Sequence, residues 1–136
     1  GPFGLMRSRA ERSAAKAGVL RLAIKPASID TTAGSLSGGN QQKIVLAKWL
    51  QTKPRILILD EPTRGVDVGA KFEIYRIIRE LAANGAAILM VSSELPEVLG
   101  LSDRVAVMHN KHVAAIVDAD GLTPETVMSY AAGMHI

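Results

Sequence analysis

The chain has 136 residues, no cysteine, a formal net charge of +3 and only five aromatic side chains. That length suits one domain around one core, and the missing thiols exclude disulfides and thiolate metal sites, which fits an intracellular protein better than a small secreted one. No apolar run is long enough to cross a bilayer and no charged-then-apolar leader opens the chain, so it reads as soluble.

Residues 1–7, beginning "GPFG", read as an appended or disordered end. Residues 8–52 read as a helical portion and 53–136 as an α/β core portion. The basic surplus is local, because residues 1–30 carry six Lys or Arg against two acids. With so few aromatics to interleave, it reads as a solvated helix face, and no nucleic-acid partner is expected. "SRAERSAAKAGVLRL" from Ser8 reads as a helix, and "IKPASIDTTAG" with Pro26 as a connector. A second helix starts near Gly38. "ILIL" from Ile56 has no alternation and predicts a strand buried on both faces, as in a parallel sheet. Gly69–Asn84 carries Ile74, Ile77, Ile78 and Leu81 on one helical face and closes at Asn84–Gly85, after which "AAILMV" predicts a second buried strand. "ELPEVLG" offers a short helix. "RVAVMH" and "HVAAIVD" predict a hairpin joined by Asn110–Lys111. "TPETVMSYAAG" predicts a helix capped by Thr123 with Pro124 first and Gly133 beyond its end. Strands alternating with helices make the fold class α/β.

Two places carry chemistry. Ser37, Gly38 and Gly39 open a helix with glycines where good helix formers would be stronger, so Ser37 can cap the helix, or the bare N–H groups can take phosphate oxygens. Asp60 and Glu61 lie where a strand runs out, the end at which open α/β sheets hold ligands. An acidic pair can simply solvate a turn. Behind four aliphatics it instead matches a Walker B strand, in which the first carboxylate holds Mg²⁺ through water and the second activates an attacking water.

"LSGGNQQK", "ILILDEP", "DEPTRGVDVGAK" and "VSSELPEV" together resemble the nucleotide-binding domains of ABC transporters, from about Leu22 to the end of the chain. The resemblance is strongest to the C-terminal ATPase half of the tandem ATP-binding subunit of monosaccharide importers of the ribose, galactose and xylose type. It implies a P-loop (RecA-like) fold and ATP with Mg²⁺ as cofactors, with a second nucleotide-binding domain and membrane permease subunits as partners on the cytoplasmic face of the membrane. It also assigns roles. Ser37, Gly38, Gly39, Gln41 and Asp67 would meet nucleotide, Asp60 would hold Mg²⁺ through water, Glu61 would be the catalytic base, and Ser93 stands where the family has a phosphate-contacting histidine. No G-x-x-x-x-G-K-[ST] occurs in the sequence and no counterpart of the Q-loop glutamine is found, so the chain alone is expected to be inactive. A non-catalytic module that completes a composite site or docks on a permease is the alternative. His109, His112 and His135 read as ordinary surface residues. Self-association is expected through an open, apolar sheet edge.

Overall fold

A computed structural model describes residues 8–134. The 1–7 end and His135 of the sequence reading lie outside the described residues. In chain order come α1 (Ser8–Arg21), a 3-10 turn (Ala33–Ser35), α2 (Gly38–Leu50), β1 (Ile56–Asp60), α3 (Val68–Ala83), β2 (Ala87–Val91), α4 (Leu95–Leu101), β3 (Arg104–His109), β4 (His112–Asp118) and α5 (Pro124–Ala131). Every element predicted from sequence is present. β1 and β2 form one two-stranded sheet, β3 and β4 another.

The chain divides into two compact units, the first ending at Leu89 and the second beginning at Met90. This corrects the expectation of one core: each unit buries its own apolar set. In the first, α1 packs on α2 and α2 on α3. Leu22, Ile24, Leu46, Leu57, Leu59, Ile74, Ile77 and Ile78 are buried there. The three isoleucines of α3 follow the predicted stripe, while α2 buries Gly39, Lys43 and Leu46 at helical spacing.

The strands of the first sheet depart from expectation. Leu57 and Leu59 are buried, but Ile56 and Ile58 are each 68% exposed, so β1 is covered on one face only. No residue of β2 is buried. A sheet of two strands leaves an edge of each without a strand partner among the described residues. An open groove of about 460 Å³ runs between α2 and β1, lined by Val45, Trp49, Ile56 and Ile58 among others.

In the second unit the hairpin turns at Asn110 and Lys111, both at positive φ (47° and 68°), the twist that a two-residue hairpin turn requires. Pairing slips by one residue between Val107 and Met108, a β-bulge. Val105 and Val107 face inward and pack with Val127 of α5. Thr123 caps α5 by accepting from Thr126 N–H at 3.3 Å, and Gly133 ends it at φ 81°. His109 is not an ordinary surface residue. It is half-buried, and its Nδ1 lies 2.7 Å from the Ala131 carbonyl and its Nε2 2.9 Å from Asn110 Nδ2. A carbonyl can only accept, so Nδ1–H donates to it and ties the hairpin to the end of α5.

Candidate functional site

α2 begins under a constraint from its neighbour. A Cβ at Gly39 would stand 2.4 Å from Ala70 Cβ and 3.3 Å from Val66 Cγ1, and one at Gly38 would stand 3.2 Å from the Gly65 carbonyl. The glycines at this helix start therefore have a packing cause: they let α2 approach the turn that leads into α3. That turn starts at the end of β1. Arg64 N–H donates to Glu61 O and Val66 N–H to Thr63 O, both at 3.1 Å, and Pro62 and Thr63 are buried in its middle. Asp67 ends the turn and caps α3, accepting from Ala70 N–H at 3.0 Å.

Ser37 occupies the N-cap position of α2 with extended backbone, as its place in the sequence suggests, yet its side chain makes no cap bond. Its Oγ instead accepts from Asn40 Nδ2 at 2.9 Å, while Asn40 Oδ1 accepts from Lys25 N–H at 3.0 Å. The helix start is thus left with N–H groups that no serine side chain takes up. Gln41 Nε2 donates to the Leu36 carbonyl at 2.8 Å and so braces the chain entering the helix. Beneath lies a polar cavity of about 220 Å³ lined by Lys25, Ser37, Asn40, Lys43, Asp67 and Glu73.

Lys43 was missed in the sequence. It is 3% exposed, forms an ion pair with Glu73 of α3 and also reaches the Ala23 carbonyl at 3.5 Å. The signal was available, since Gly39, Lys43 and Leu46 share one helical face and a lysine among buried positions calls for a fixed partner.

Asp60 is exposed at the end of β1, and Glu61 follows it half-buried with φ 47°, a left-handed backbone that costs a non-glycine residue about 1 kcal/mol or more. The structure therefore brings Ser37, Gly38, Gly39, Gln41, Asp60, Glu61 and Asp67 into one unit, the first three beside the Asp67 turn. Ser93 belongs to the other unit, where its neighbour Ser92 donates to the buried Glu97 at 2.6 Å and accepts from Glu94 N–H at 3.0 Å. Groups of three or more His, Asp or Glu able to cage a metal are absent among the described residues. No helix among the described residues is long and apolar enough to cross a membrane.

Comparison with known proteins bears on this arrangement. Residues 5–64 match the ABC transporter family profile. The chain is 60% identical over 130 residues to the ribose import ATP-binding protein of Geobacillus kaustophilus, covering 96% of this chain and 26% of that protein. To a ribose import ATP-binding protein of Streptomyces coelicolor it is 54% identical over the same shares. It spans about a quarter of the length of these relatives. Among solved structures, an ATP-binding cassette of an ABC transporter superposes with TM-score 0.74 at 26% identity, over 94% of this chain and 49% of that one. A dimeric bacterial ABC transporter cassette, at 20% identity and TM-score 0.72 over 85% and 50%, shares the fold. The chain is thus similar over most of its length to one part of ABC transporter ATP-binding proteins, and it has the fold of the corresponding part of a cassette.

Proposed function

We propose, from the premise that this chain is similar to one part of ABC transporter ATP-binding proteins, that it supplies the signature, Walker B and D-loop parts of the ATP-hydrolysing subunit of a sugar importer. The bare first turn of α2 carries the reading. Ser37 stands at the N-cap but leaves the N–H groups untaken, and the glycines after it present no side chain to an approaching anion. There the helix dipole and the Ser37 hydroxyl would bind the γ-phosphate of ATP held by the Walker A loop of the second nucleotide-binding domain. Gln41 and Asp67 are the other two residues expected to meet nucleotide; Gln41 braces the chain entering α2 and Asp67 heads α3.

Asp60 would hold the water shell of Mg²⁺, and Glu61 would orient the attacking water and take its proton. Bound ATP would supply the phosphoryl group, and Mg²⁺ would neutralise the charge that develops on it. Ser93 would offer a hydrogen bond at the position where the family's histidine contacts phosphate, without that residue's capacity for positive charge. We assign residues 8–52 to the helical subdomain and 53–136 to the RecA-like core portion. The other domain of the subunit and the membrane permeases are the expected partners, at the cytoplasmic face of the membrane. The exposed Ile56 and Ile58 favour self-association of the isolated chain.

A segment exchange tests this. The matching quarter of the Geobacillus relative is replaced by this chain, and ATP hydrolysis is measured. Retained turnover that falls at least about 10²-fold with Glu61→Gln supports the reading. A folded hybrid that binds ATP but does not hydrolyse it, with the parent active beside it, refutes it. The sequence holds no phosphate-cradling G-x-x-x-x-G-K-[ST], which favours the second reading that the chain by itself only completes a composite site. ATP hydrolysis appearing when the chain is mixed with a Walker A-bearing cassette would support that one.

A further inference from the structure

We infer that Asn40 is a positioning residue that holds the Ser37 hydroxyl off the helix it would otherwise cap and turns it toward an anion; this rests on the phosphate role proposed for Ser37. The orientation of the Asn40 amide is fixed by chemistry. Lys25 N–H, at 3.0 Å, can only donate, so the Asn40 oxygen faces it and the Asn40 nitrogen faces Ser37 Oγ at 2.9 Å.

Two consequences follow. First, Ser37 Oγ spends a lone pair on Asn40, at the third helical position, and takes none of the first-turn N–H groups that a serine there ordinarily binds. Those groups stay open to a ligand. Second, with Oγ accepting from Asn40, its own proton points elsewhere, and the exposed Ser37 is left to donate. One side chain therefore keeps both the backbone amides and the hydroxyl in a donating state. The anchor is remote in sequence, the amide of Lys25 in the connector before the 3-10 turn. The state of the helix start is consequently tied to the path of that connector.

Asparagine is the residue this needs, since it accepts on one side and donates on the other. Aspartate would keep the bond from Lys25 N–H but present only an acceptor to Ser37, drawing the hydroxyl proton to itself. Alanine would free Ser37 to swing onto the helix.

The test uses the 136-residue chain, amide exchange and amide chemical shifts, with inorganic phosphate as the probe against chloride at equal ionic strength. In N40A the amides of residues 39 and 40 are expected to exchange about fivefold more slowly, the factor an average N-cap bond contributes, while the phosphate-induced shifts of Gly38 and Gly39 fall by at least half. In N40D those shifts disappear without the slowing, and helix content stays at the parent level. Unchanged exchange and unchanged shifts in N40A would overturn the inference. A parent chain that ignores phosphate, while N40A still slows exchange, would overturn the phosphate role and with it the purpose assigned to Asn40. S37A must abolish the slowing in the N40A background; slowing that persists there would also sink the inference.

Discussion

Gly39 and Ala70 stand so close that a methyl group on the glycine would lie 2.4 Å from the alanine Cβ. Helix α2 and the head of α3 are therefore joined where a single added carbon cannot fit. Gly39→Ala should destabilise the chain by about 1–3 kcal/mol, despite the gain in helix propensity. Ala70→Gly alone should cost about 1 kcal/mol. The double variant should recover most of the Gly39→Ala loss, as read in urea unfolding; simple additivity of the two losses would show that the contact is not the cause.

Lys43 and Glu73 give a second, separable prediction. Glu73→Gln should cost about 1–3 kcal/mol, because it removes the negative charge beside the ammonium of a buried lysine and leaves it only neutral acceptors, an amide oxygen and the Ala23 carbonyl. Lys43→Met should cost less, under about 1 kcal/mol, since Glu73 is 45% exposed and can turn to water once its partner is gone. The order of the two denaturant midpoints checks this. Equal losses would mean that the pair matters for packing and not for charge.

The isoleucines of β1 predict association. Ile56 and Ile58 sit on the uncovered face of a two-stranded sheet, so the isolated chain should form larger species as concentration rises. Ile56→Lys with Ile58→Lys should return it to monomer in light scattering, with little loss of stability because neither side chain is buried. A parent chain that stays monomeric at high concentration contradicts the expectation.

Which parts of this were legible beforehand depended on range. Elements set by local periodicity and punctuation were readable: the Ile74, Ile77, Ile78 stripe, the Asn110–Lys111 turn, and the Thr123 cap with Pro124 behind it. Burial of β1 was misjudged because "ILIL" records what a strand can tolerate on its two faces, whereas cover is decided by what packs there. The glycines after Ser37 were read for chemistry or capping while their packing cause went unseen, since nothing near Gly39 in sequence announces Ala70. The Asn40 bridge and the His109 tether to Ala131 were hidden for the same reason: each joins groups more than ten residues apart through one hydrogen bond.

Glu125, in the first turn of α5, titrates below its ordinary value, chiefly through its own backbone hydrogen bond and secondly through Thr123, against a small opposing effect of burial. A depressed carboxyl contributes stability that is present above its unfolded-state value and lost as pH falls through its folded-state value. Acidification through that range should therefore loosen the start of α5. Glu125→Gln should flatten that part of the pH dependence while leaving stability in mildly alkaline solution close to, and slightly below, the parent. The fully exposed position keeps the effect small, and hydrogen exchange of the α5 amides at acid and neutral pH is the suitable measurement.

The backbone at Glu61 has a consequence for how the sequence can change. Its φ of 47° is a conformation in which glycine would rest without strain, so Glu61→Gly should raise stability by up to about 1 kcal/mol. Under selection for folding alone, that exchange would be favoured to the extent of the backbone strain it relieves. A glutamate at this place carries a backbone cost that glycine would not, and a population released from any need for its side chain should lose it early.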